Sequence, residues 1–116
     1  MSKLLLIAVT LSIACSVAIA ADDKPLQFLN RAGETLVKLQ FAPAGTTKWG
    51  TDLCQYEDDK QVEHNEKISL QGVTPGRYDV RFTDIKGRNC TVKNIDVKAG
   101  ALVVIRQAEL PPDCAR

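Results

Sequence analysis

The chain has 116 residues, of which 25% are charged and 45% hydrophobic, with 15 Lys and Arg against 14 Asp and Glu. That length provides for one small domain whose single core is marginal without further help. The two charge signs are balanced and alternate along the chain, which argues against the clustered Lys and Arg of a phosphate-tracking surface; neither nucleic acid nor an anionic membrane is an expected partner.

The N-terminus carries the most specific signal. After Lys3, "LLLIAVTLSIACSVAIA" runs without a charge and ends in Ala18-Ile19-Ala20 before the polar "ADDK". A short basic region, an apolar core and a small-x-small site define a cleaved secretory signal peptide over residues 1–20, cut after Ala20 or Ala21. A retained anchor would normally carry a basic flank, and no twin-arginine pair is present. Lipidation at Cys15 is disfavoured because Ser12 stands where an aliphatic residue is usual and the apolar run continues past the cysteine. Cleavage would take Lys3 and no acid, leaving a neutral domain over residues 22–116 in a periplasmic or secreted setting, where disulfides persist. Three cysteines, Cys54, Cys90 and Cys114, would remain, enough for one internal bridge and one thiol.

In chain order, the first strand is expected over residues 26–30 ("LQFLN"), followed by the turn "RAGE". "TLVKLQFAP" alternates, with Val37, Leu39 and Phe41 on one face and Lys38 and Gln40 on the other, the mark of a half-buried strand. Residues 42–66 then show no sustained strand period, and a loop beyond about 12–15 residues in a small domain is usually functional or disordered. Strands resume over 67–73, and again at "RYDVRFTD", where Tyr78, Val80 and Phe82 point inward and Asp79, Arg81 and Thr83 outward. After the glycine hairpin "DIKGR", a strand over 90–97 slips its alternation between Val92 and Ile95, which places a bulge at Lys93-Asn94. The last strand, expected over 101–110, is apolar on both faces and so sandwiched or covered at an edge. Short strands joined by glycine turns predict an all-β fold, a small antiparallel β-sandwich of six or seven strands, prealbumin-like or Ig-like.

The 42–66 loop holds the candidate binding residues: Trp49, the only Trp, and Lys60, Glu63 and His64, the last the only imidazole. Trp is enriched at binding hot spots; the alternative is that Trp49 folds back to cap the end of the sandwich, since Trp is usually highly buried. His64 lies among Glu57, Asp58, Asp59, Glu63 and Glu66, but no Ser or Cys context offers the activated nucleophile of a hydrolytic triad. This acidic run lacks the alternating ligands and central glycine of an EF-hand, and one His with three scattered cysteines does not make a zinc site. No metal or other cofactor is expected. "NCT" at Asn89 matches a glycosylation sequon, which matters only in a eukaryotic secretory pathway and is read as a chance match.

From Phe28 to Ile105 the chain resembles a family of small exported bacterial β-sandwich proteins without established activity. "NRAGETLVKLQFAPAGTTKWGTDLC" carries the early Asn and Gly turn and the Trp-Gly-x-Asp-Leu motif; "LQGVTPGRYDVRFTDIKGRNCTV" carries the Pro-Gly-x-Tyr-Asp-Val-Arg strand and its hairpin. The second stretch is also similar to prealbumin-like and collagen-adhesin repeat domains, where it turns the chain into a strand. The resemblance implies a Cys54–Cys90 bridge, because one variant of the pattern holds both cysteines, and it leaves Cys114 outside. It transfers no catalytic residue. The expectation is a non-enzymatic exported module that binds a protein or a cell-envelope component through loops at one end, or, alternatively, a small periplasmic inhibitor of an envelope-degrading enzyme.

Overall fold

The computed structural model describes residues 25–114, so the expected signal peptide at 1–20, with Cys15, lies outside the described residues. Among the described residues six strands follow one another: β1 (Gln27–Arg31), β2 (Leu36–Pro43), β3 (Lys67–Ser69), β4 (Gly76–Asp84), β5 (Asn89–Val97) and β6 (Leu102–Arg106). They form two three-stranded sheets, ordered β3-β1-β6 and β2-β4-β5, making the expected small all-β sandwich. All pairings are antiparallel except β1 with β6, which run parallel.

Alternation builds the core between these sheets. Phe28 from β1, Leu39 and Phe41 from β2, Val80 and Phe82 from β4, and Val103 and Ile105 from β6 are all buried. Phe28 meets Phe41 edge-on across the two layers, with ring centroids 6.5 Å apart, a geometry aromatic pairs favour. In β2 a register shift between Leu36 and Lys38 breaks the expected alternation. The bulge places Leu36, not Val37, fully in the core, and Val37 is half-buried.

The predicted bulge in β5 is present. Tyr78 pairs with Ile95 and Val80 with Val92, so Lys93 and Asn94 together oppose Asp79, and Asn94 takes a positive φ of 59°. This changes the expectation for Asp79, which lies on the outer side of β4 yet is buried. Its carboxylate accepts the Asn94 N–H at 3.1 Å and the Gly45 N–H at 3.0 Å, and those donors hold its pKa below the ordinary value. The β4–β5 hairpin closes on a second buried acid, Asp84, which accepts from the Lys86 and Arg88 amides and from Arg88 Nε at 2.8 Å, while Gly87 supplies the left-handed turn at φ 82°.

Two expected strands are shorter than their apolar runs. β3 stops at Ser69, because the chain turns through Gly72 at φ 77°. After β6 the chain enters a 3-10 turn, Gln107–Glu109.

The cysteine pairing corrects the expected Cys54–Cys90 bridge: Cys90 is bonded to Cys114, with Cα atoms 5.2 Å apart, and Cys54 is a free, buried thiol. The sheet order explains why. Cys90 stands on β5, and Cys54 packs beside the far edge strand β2, its Sγ 3.7 Å from the Leu36 carbonyl. With β4 between them, two strand spacings of about 4.8 Å each already exceed the roughly 7 Å a disulfide can span. The segment after β6 buries Leu110 and delivers Cys114 to Cys90, joining the continuation of one sheet to an edge strand of the other.

Candidate functional site

The 42–66 segment is ordered by β2. Beyond Pro43 the chain doubles back along the free edge of that strand: the Gly50 N–H donates to the Phe41 carbonyl at 2.9 Å, Asp52 Oδ1 accepts the Leu39 N–H at 2.9 Å, and Val62 exchanges two backbone hydrogen bonds with Leu36 at 2.8 and 2.9 Å. Asp52 Oδ1 also caps the 3-10 turn Leu53–Tyr56 through the Cys54 N–H. Leu53, Cys54 and Val62 are buried beneath. An open strand edge invites unwanted pairing, and here the loop satisfies it, so much of its length serves the sheet.

The four candidate residues divide between the two ends of this cover. Trp49 is half-buried, and the guanidinium carbon of Arg81 lies 4.3 Å from its ring centroid, a cation–π contact on the outer face of the β2-β4-β5 sheet. It therefore packs on a sheet face, whereas the packing alternative had it capping the sandwich end. Lys60, Glu63 and His64 are exposed beyond the 3-10 turn. Lys60 Nζ donates to the Gln55 carbonyl at 2.7 Å, Glu66 Oε1 accepts the Glu63 N–H at 2.8 Å, and the Asn65 N–H donates to the Asn30 carbonyl at 2.7 Å. Gly50 lies by Phe41 and Val62 by Leu36, five residues or about 17 Å apart along β2. Trp49 and the Lys60–Glu63–His64 group thus do not converge on one site.

Nearby, Glu57 is raised in pKa by partial desolvation and then by the Glu66, Asp59 and Asp58 carboxylates. Among the described residues no group of three or more His, Cys, Asp or Glu side chains is placed to hold a metal ion, and no helix is long and apolar enough to cross a membrane.

A groove opens where the cover begins. Its cavity of about 370 Å³ has Phe41 and Tyr78 from the sheet on one side, Lys48, Leu53 and Tyr56 from the cover on another, and Val73 from the turn before β4. Tyr78 was expected wholly in the core; it is half-buried instead, packed edge-on against Phe41 at 5.8 Å, with its hydroxyl donating to the Thr74 carbonyl at 2.7 Å. Tyr56 is 47% exposed. An aromatic with its body against protein and its hydroxyl in water suits a contact surface. Sequence reasoning passed over Tyr56, although a lone Tyr in the charged "CQYEDD" run is a signal it could have used. No protein-family model, curated protein or solved structure matches the chain.

Proposed function

We propose that this chain is an exported, non-enzymatic binding module, periplasmic or secreted, that engages a protein or a cell-envelope component at the groove between the β2 cover and the turn before β4. The observation that carries the reading is the exposed Tyr56 beside the half-buried Tyr78, on a backbone already tied to a strand edge. A preordered surface loses little entropy on binding, and a volume of about 370 Å³ is at the small end for molecular recognition sites. The signal peptide expected at 1–20 and the disulfide support export.

The test is capture from an envelope extract with the domain immobilised. Tyr56→Ala should reduce recovery of the captured component at least fivefold with an unchanged melting temperature. Equal recovery by the variant would refute the groove. The inhibitor reading keeps one favouring observation: Glu63 and His64 stand exposed on a turn pinned through Asn65 to β1, the kind of rigid acidic protrusion that could enter an enzyme's active site. It requires that Glu63→Ala relieve near-stoichiometric inhibition of a lysozyme-type enzyme, and the binding-module reading requires no such inhibition.

A further inference from the structure

The outer face of the β2-β4-β5 sheet carries a second concavity, distinct from the groove. Strand register places Lys38 beside Thr83, Thr83 beside Asn89, and Arg81 beside Thr91, and these five residues line a hollow of about 300 Å³. Thr83 is central, with Lys38 and Asn89 on either side.

The hydrogen bonds within this face consume acceptors and leave donors. Gln40 Oε1 accepts Arg81 Nε at 2.8 Å, and Gln40 Nε2 is spent on the Gly50 carbonyl at 2.9 Å. Thr83 Oγ1 donates to Asn89 Oδ1 at 2.6 Å, which fixes that carboxamide and commits its oxygen. The guanidinium is also in cation–π contact with the Trp49 ring. Among the described residues Arg81 and Lys38 make no ion pair. The unspent groups are therefore the terminal Arg81 nitrogens, the Asn89 amide, the Lys38 ammonium and the Thr91 hydroxyl, all of them able to donate, around a hollow with no carboxylate in its lining. Asp113 lies in the adjoining concavity with Asn89, Thr91 and Lys93, beyond β5.

We propose that this hollow binds the phosphate group of a small phosphorylated organic molecule. A guanidinium fixed in orientation, an ammonium, a hydroxyl and an amide match a tetrahedral oxyanion with several acceptor oxygens. The volume of about 300 Å³ reaches the lower bound for small-molecule sites, so it has room for part of the molecule that bears the phosphate, for which a hexose 6-phosphate serves as probe. The balanced charge of the whole chain does not oppose this, because the cations gather only when β2 and β4 pair.

The experiment is an amide chemical-shift titration of the disulfide-bonded domain with three probes: a hexose 6-phosphate, inorganic phosphate and the unphosphorylated hexose. The hexose phosphate should move the Arg81, Thr83, Asn89 and Thr91 signals and bind at least fivefold more tightly than either other probe. Lys38→Glu, an exposed change whose fold is checked by its unperturbed spectrum elsewhere, should weaken it tenfold or more; Arg81→Lys, which keeps the charge but loses the fork, should weaken it about fivefold. Equal binding of inorganic phosphate would reduce the site to an adventitious ion only, and equal binding of the plain hexose, or no response at these residues, would overturn the proposal. Because Tyr56 is not in this hollow, Tyr56→Ala should leave the titration unchanged, so failure here and failure of the groove are separate results.

Discussion

Breaking the Cys90–Cys114 bridge should destabilise the domain heavily and from one side. The bridge closes a loop with a sequence separation of 24, for which the chain-entropy relation gives about 3.5 kcal/mol of stabilisation at 25 °C. In a domain of this size each kcal/mol moves the melting temperature by roughly 4–8 °C, so reduction should lower it by about 14–28 °C. Reduction is a clean perturbation here because Cys54 is already a free thiol. The loss should begin in the segment after β6, whose Leu110 and Cys114 are buried only while the tail is held down. Trypsin should then cut after Arg106 in the reduced protein well before it cuts β4 or β5. Non-reducing peptide mapping, melting with and without reductant, and limited proteolysis together check the reasoning. A peptide linking Cys54 to either partner, or a melting temperature that reduction shifts by less than about 3 °C, would refute it.

Cys54 should be silent to thiol reagents in the native state at pH 8 and react fully once the chain is unfolded in urea, since burial, followed by the Asp52 carboxylate, pushes its pKa from 9.0 up to about 12. With the folded value above the unfolded one, its contribution is fully present below about pH 9 and is lost as pH rises toward 12; urea titrations across that range should show the decline, and Cys54→Ala should flatten it. Asp79 has the opposite sign: its pKa lies below the usual 3.8, so the stability it adds is present above that pH and fades as pH falls, and Asp79→Asn should flatten the acid limb of the stability profile measured by urea unfolding. Phe82→Ala empties a position only 2% exposed and should cost about 3–5 kcal/mol by the same measurement; an unchanged melting temperature would mean that the β4 face is misassigned.

The sandwich was legible because its core obeys a period of two. Val80, Phe82, Leu39 and Phe41 alternate with polar neighbours, and the slip before Ile95 marked a bulge that the pairing of Tyr78 and Val80 reproduces. Misreadings arose where non-local contact overrides alternation. Asp79 looks solvent-facing in sequence, and only the return of Gly45 and the bulge at Asn94 enclose it. The apolar run after Ala101 does not reveal where the strand gives way to a turn, because Leu110 is buried by the tail and not by a ladder.

The cysteine pairing was misread, and the length of the long loop has a structural explanation, for related reasons. A bridge between Cys54 and Cys90 was implied by sequence resemblance, but the order β2-β4-β5 puts those residues at opposite edges of a sheet, and strand order is not written in any local motif. The loop was singled out because its length exceeds what joining two strands requires, yet that surplus largely meets the unpaired edge of β2. Once that need is met, the length itself points to no ligand. The surface features that remain are defined by juxtaposition: the cover sets Tyr56 in one groove with Tyr78 and Val73, and Trp49 and Gln40 hold Arg81 with its terminal nitrogens unspent. Each residue is ordinary in its own stretch of chain, which is why a sequence poor in catalytic motifs can still present two chemically different surfaces on one small sandwich.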